Sequence, residues 1–133
     1  MHGVVWQEWT TVLLTGATST VVQSEPCWLD VDDYRDVTFW LQVRDLSLGG
    51  AGAVICAYET SPSKDEALFL SMVSFPLGLT NTTPYITKVL SPQNPGTPLS
   101  KWLRWRLYLI GAPTSEWGAT FRIFCSLNSS RMP

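Results

Sequence analysis

The chain has 133 residues, enough for one domain that buries a core without metal or disulfide staples. Hydrophobic residues make up 45% and charged residues 15%, which excludes a disordered or heavily solvated chain. The formal net charge of -2 and a pI near 5.2 give no global attraction to nucleic acid or an anionic membrane, and the sequence has no run of roughly 18 apolar residues that would span a bilayer.

Met1-His-Gly-Val-Val-Trp-Gln-Glu8 lacks the basic n-region and apolar h-region of a signal peptide, so the chain is expected to stay where it is made unless a larger assembly carries it out. Gly3–Leu14 reads as a first strand anchored by Val4, Trp6 and Val12, followed by a turn over Thr15–Ser19 and a short strand over Thr20–Gln23. The acidic run Asp30–Asp36 has neither the sharp-turn Gly nor the terminal Glu of an EF-hand, and is expected to be a solvated loop.

Asp36–Asp45 alternates Val37, Phe39, Leu41 and Val43 with Thr38, Trp40, Gln42 and Arg44, the period of a half-buried strand. A Gly turn and Ala53–Thr60 follow, and the two strands read as an antiparallel hairpin. Ser63-x-x-Glu66 has the form of a capping box and points to a helix over Asp65–Val73. The segment up to Phe75 is nonetheless short, aromatic and stopped by Pro76, which favours a strand. Gly78–Pro84 reads as a loop, Tyr85–Leu90 as a strand, and Ser91–Pro98 as a Pro-rich crossover.

The clearest pattern lies in Lys101–Leu127, read as a hairpin around the turn Gly111–Ser115. Its core face carries Leu103, Trp105, Leu107 and Leu109, then Trp117, Ala119, Phe121, Ile123, Cys125 and Leu127. Its outward face carries Trp102, Arg104, Arg106 and Tyr108, then Arg122 and Phe124. From about residue 128 the chain reads as a loose tail. Residues 1–133 thus form a single all-β domain, an antiparallel β-sandwich or jelly roll of seven or eight strands.

Few residues suit catalysis or metal binding. His2 is the single histidine, and Cys27, Cys56 and Cys125 are far apart without a C-x-x-C, so neither a zinc site nor a catalytic triad is expected. Cys56 and Cys125 read as reduced core residues. Asn81-Thr-Thr83 and Asn128-Ser-Ser130 fit the glycosylation pattern but read as turn and tail residues. Glu59, Asp65 and Glu66 could supply paired carboxylates for a hydrolase, but they cluster around one turn. No cofactor is expected.

Two features exceed the needs of a small core. Seven tryptophans are present, of which Trp40 and Trp102 face outward, where they bind a partner protein, stack on sugar rings, or lie under another segment of this chain. Arg104, Arg106 and Tyr108 beside Arg122 and Phe124 form an expected cationic and aromatic interface, and Trp40 and Trp102 join them as candidate interface residues.

The succession Asp36-Val-Thr-Phe-Trp-Leu-Gln-Val-Arg44, Val54-Ile-Cys-Ala-Tyr-Glu-Thr-Ser-Pro-Ser63 and Leu70-Ser-Met-Val-Ser-Phe75 resembles small β-sandwich virion proteins of tailed bacteriophages and prophages. Trp102-Leu-Arg-Trp-Arg-Leu107 and Ala119-Thr-Phe-Arg-Ile123 are similar to the closing strands of the same proteins. The resemblance implies a non-enzymatic capsid decoration or head-associated protein. Its partners would be further copies of itself, with a trimer the expected oligomer, and a major capsid or other virion protein, and its location the virion. A carbohydrate-binding sandwich using exposed Trp residues is the alternative, and a small hydrolase the third reading.

Overall fold

The computed structural model describes residues 2–14, 20–50, 52–77, 85–91, 99–111 and 116–129. Nine strands lie within them: β1 (His2–Leu14), β2 (Thr20–Val22), β3 (Leu29–Asp30), β4 (Tyr34–Ser47), β5 (Ala53–Ser61), β6 (Leu70–Pro76), β7 (Tyr85–Ser91), β8 (Trp102–Ile110) and β9 (Trp117–Ser129). Sheet A has the order β1-β9-β4-β7 and sheet B the order β2-β8-β5-β6, with β3 added on β8, and every pairing is antiparallel. The chain changes sheet between β1 and β2, β3 and β4, β4 and β5, β6 and β7, β7 and β8, and β8 and β9, which is the double Greek-key order of a jelly roll. The expected all-β antiparallel sandwich is therefore the observed fold, and the strand beyond eight is the two-residue β3.

Period-two alternation assigns the buried face correctly on β4, β8 and β9. Val37, Phe39, Leu41 and Val43 of β4, Leu103, Trp105, Leu107 and Leu109 of β8, and Trp117, Ala119, Phe121, Ile123, Cys125 and Leu127 of β9 are all buried. Aromatic contacts tie the sheets together: Phe39 of sheet A stacks on Tyr58 of sheet B at 3.9 Å between ring centroids, and Trp6 packs on both. Close approach also matters at Gly118, where a Cβ would fall 1.8 Å from the Val12 carbonyl oxygen and push β1 off β9.

Two expected hairpins are not hairpins. β8 is bonded to β2, β3 and β5, and β9 to β1 and β4, so the strands of Lys101–Leu127 lie in opposite sheets. The strands of Asp36–Thr60 part in the same way, β4 entering sheet A and β5 sheet B. Alternation reports which face is buried, and in a sandwich each strand buries one face whether its successor lies beside it or across the core. At the corner after β4, Gly49 and Gly50 take φ of 62° and 82°, a left-handed turn that side chains disfavour.

Local readings fare differently. Asp65, not Ser63, caps the chain by accepting from the Ala67 amide at 3.1 Å, and it starts only a 3-10 turn, Glu66–Leu68, before strand β6. The helix option over Asp65–Val73 is thereby excluded and the strand upheld. Part of the acidic run is strand: Asp30 ends β3, Val31 is fully buried, and β4 begins at Tyr34. β9 continues through Asn128 to Ser129, past the expected start of the tail. The turn at Thr15–Ser19, the loop at Gly78–Pro84 with Asn81, the crossover residues 92–98, the turn residues 112–115 and residues 130–133 lie outside the described residues.

Cys56 and Cys125 are free and buried, and Cys27 is free and exposed. Burial pushes the Cys125 thiol up to about 12 and raises that of Cys56 further still, the latter against a hydrogen bond with Tyr58. Because the thiolate is the reactive form, a maleimide at neutral pH is expected to label the folded protein at Cys27 alone, read by intact mass. Modification of Cys56 or Cys125 without denaturant would contradict this packing.

Candidate binding surface

The seven residues singled out as an interface divide between opposite sides of the sandwich. Trp102, Arg104, Arg106 and Tyr108 belong to β8 and the outer side of sheet B, whereas Trp40 of β4 and Arg122 and Phe124 of β9 belong to the outer side of sheet A. The expected single grid across a β8–β9 hairpin does not exist, because the two strands face each other through the core.

On sheet B, pairing of β5 with β8 sets Glu59 directly opposite Arg104. Arg104 donates from Nε to Glu59 Oε1 at 2.8 Å, and its two terminal nitrogens make a bidentate pair with Glu66 at 2.5 and 3.0 Å. The guanidinium lies 3.9 Å from the Phe69 ring and 5.3 Å from that of Trp28. Trp28 is itself held by a 2.7 Å bond from Nε1 to the Gln23 carbonyl. Arg104 is thus only 3% exposed, and it acts as a clasp fastening the two 3-10 turns, Glu25–Cys27 and Glu66–Leu68, over the sheet. Arg106 pairs with the other Glu59 oxygen at 3.2 Å and lies 4.7 Å from the Tyr108 ring. Trp102 is half-buried, with Lys64 and Lys101 over its ring at 4.5 and 5.7 Å. The expectation that Arg104 faces a partner is corrected: it has no free surface, since Glu59 and Glu66 consume its donors.

The clasp has an electrostatic signature. The hydrogen bond from Arg104 holds the Glu66 carboxyl below its ordinary range, while for Arg104 burial opposes the charge and the bonds to Glu66 and Glu59 outweigh it. A carboxyl lowered on folding binds fewer protons when folded than when unfolded. Its contribution is full above the ordinary glutamate range and disappears as pH falls through the lowered folded value. Acid titration is expected to release the Glu66 turn, read as a change in Trp28 fluorescence, and Glu66→Gln should remove that part of the pH dependence. An unchanged acid limb in the variant would show that Glu66 contributes nothing.

The outer side of sheet A is built differently. Register places Val5, Phe124 and Trp40 in one row across β1, β9 and β4, and Gly3, Ser126 and Thr38 in the next. The small second row leaves an open concavity of about 480 Å³ beside the apolar one, lined by Gly3, Val5, Trp40, Gln42, Phe124 and Ser126. On the other side of the apolar row, Arg122 stacks between Trp9 at 4.8 Å and Phe124 at 4.7 Å, and Arg44 lies 4.1 Å over the same Trp9 ring. Gln42 Oε1 accepts from Arg122 Nε at 2.8 Å and also from Nη2. Trp9, Gln42 and Arg44 were not among the expected interface residues. Gln42 and Arg44 share the outward parity of Trp40 and could have been found by it, whereas Trp9 lies inside the second of two irregularities in the β1–β9 register, which hides its face.

No protein-family model matches the chain, and no curated protein sequence matches it. Among solved structures, the fold is similar to a chain in the structure of infectious bursal disease virus, Gx strain, with a TM-score of 0.53 and 10% identity over 99% of this chain. This chain spans 32% of the length of that one. A second similarity, at TM-score 0.48 and 9% identity, is to the K1 cleaved adhesin domain of Lys-gingipain from Porphyromonas gingivalis W83, over 91% of this chain and 73% of that domain. The likeness to the viral chain is one of fold. Among the described residues no helix is long and apolar enough to cross a membrane.

Proposed function

We propose that this chain is a non-enzymatic structural protein of a virion that associates with copies of itself and binds a larger shell, as a tailed-phage capsid decoration protein does. The observation that carries the reading is the outer side of sheet A, where an aromatic row, two stacked arginines and an open concavity form one ordered surface. Rigid aromatics and arginines are the residue types that supply most energy in protein interfaces. The jelly-roll order and the fold shared with a viral chain support the same reading by analogy. Light scattering on the pure protein, alone and with the cognate shell, tests it. A trimer or other closed oligomer that adds to the particle in fixed number is expected, and a monomer that gains no mass with the shell would sink it.

One observation favours a second reading, a carbohydrate-binding module. Trp40 and Phe124 adjoin Gln42 and Ser126 around the concavity, an aromatic platform with polar groups at its edge. Binding on a glycan array that is lost in Trp40→Ala would favour this reading over the first.

A further inference from the structure

We infer that the outer side of sheet A receives the acidic bend Asp30–Asp33 of a second copy of this chain, so that copies join head to tail. The inference rests on the self-association proposed above and names the surfaces that make it.

The argument begins with the cations. Lys64, Lys101, Arg104 and Arg106 each have a carboxylate of their own chain within 4 Å, whereas Arg44 and Arg122 have none among the described residues. Stacking on Trp9 and Phe124 holds both guanidinium planes in place. A stacked guanidinium keeps in-plane donors for a carboxylate, at Arg122 those that Gln42 Oε1 does not take, and less side-chain freedom is lost when one arrives. These two guanidinium groups are ordered cations without a carboxylate partner among the described residues.

The acidic bend is the complement. Asp30, Asp32 and Asp33 are exposed, and the backbone carrying them is fixed: Asp30 Oδ1 accepts from the Asp32 amide at 3.0 Å, Val31 N donates to the Lys101 carbonyl at 2.7 Å, and Tyr34 N donates to the Val31 carbonyl at 3.0 Å. The buried Val31 side chain anchors the bend. Among the described residues Lys101 is the cation near Asp30 and Asp32, at 3.8 and 3.9 Å, so one charge there stands between two carboxylates.

Position decides between an internal and an external contact. The bend leads directly into Tyr34, the first residue of β4, and Arg44 lies on the same strand about 33 Å away at roughly 3.3 Å per residue. A rigid strand cannot bring its two ends together, but a second copy can. Contact between unlike surfaces is heterologous and closes into a ring or extends as a filament according to the rotation between copies. It depends on charge, so it weakens with salt.

The test uses two reversals in the full chain: Arg44→Glu with Arg122→Glu, and Asp30→Lys with Asp32→Lys. Arg44→Glu alone is the control for folding, since Arg44 is exposed whereas Arg122 is packed, and circular dichroism checks that each variant is folded. By sedimentation each reversal is expected to weaken self-association by at least about tenfold. An equimolar mixture should associate again, beginning with a dimer of one copy of each, because the arginines of one variant still meet the aspartates of the other and the reversed glutamates and lysines are complementary as well. Wild-type mass in either folded variant, or no dimer in the mixture, overturns the inference. Arginine variants that self-associate normally but no longer bind the shell also overturn it and give the surface to the shell protein. A wild-type chain that binds the shell as a monomer overturns the self-docking and leaves the virion reading standing.

Discussion

Trp105→Ala and Phe121→Ala are each expected to destabilise the domain by about 3–5 kcal/mol in urea denaturation. The rings belong to different sheets and meet edge to face, with centroids 5.1 Å apart at 88°. Trp105 is 5% exposed and Phe121 is fully buried, so truncation of either leaves a cavity spanning the space between sheets. Trp105 also donates from Nε1 to Gln7 Oε1 at 3.0 Å, and its loss strands that acceptor near the core. Against a total of about 5–15 kcal/mol for a domain of ordinary stability, either change is enough to unfold a domain at the low end of that range. The two losses should not add, since the residues share one contact. A cost below about 1 kcal/mol for both variants would mean that these rings do not join the sheets.

Arg104→Met is the second change with a large expected effect, about 3 kcal/mol. Its origin is not the lost attraction but the anion left behind: the Glu59 side chain is 7% exposed and would retain only the Arg106 contact at 3.2 Å. Removing that charge as well, in Arg104→Met with Glu59→Gln, should recover much of the loss. Arg104→Lys should rescue poorly, because a single ammonium cannot make the bidentate pair with Glu66 and the bond to Glu59 together. A double-mutant cycle in which the two substitutions prove additive would show that the buried pair is not coupled.

These two sites also mark how far the residues could be read without coordinates. The core parity of Trp105 and Phe121 follows from alternation alone, since a strand that buries one face repeats every second residue. Their mutual contact does not follow: it depends on β8 and β9 facing each other through the core, and alternation is the same for a hairpin. Arg104 shares the outward parity of Arg106 and Arg122, yet it is buried because two turns distant in sequence fold over it. Glu59 gives no local signal at all. β5 is buried from Val54 through Ser61 without alternation, as an interior strand covered on both sides is, so its charged residue stands out only once the register sets it opposite Arg104. Trp9 and Arg44 belong to this same class, meeting across β9 by pairings that span much of the chain.

The position of β9 bears on how the protein is made. It follows every other described strand in sequence, yet it lies in the middle of sheet A, bonded to β1 on one side and β4 on the other. A nascent chain that has emerged only as far as β8 therefore holds β1 and β4 without the strand between them: β4 can pair with β7, but β1 has no neighbour in its sheet. Pairings over such separations close slowly, on the order of milliseconds to seconds. Sheet A should assemble in one late step that inserts β9. Chains arrested before Trp117 are expected to stay protease-sensitive however long they wait, and protection of β1 in such chains would contradict this order of events.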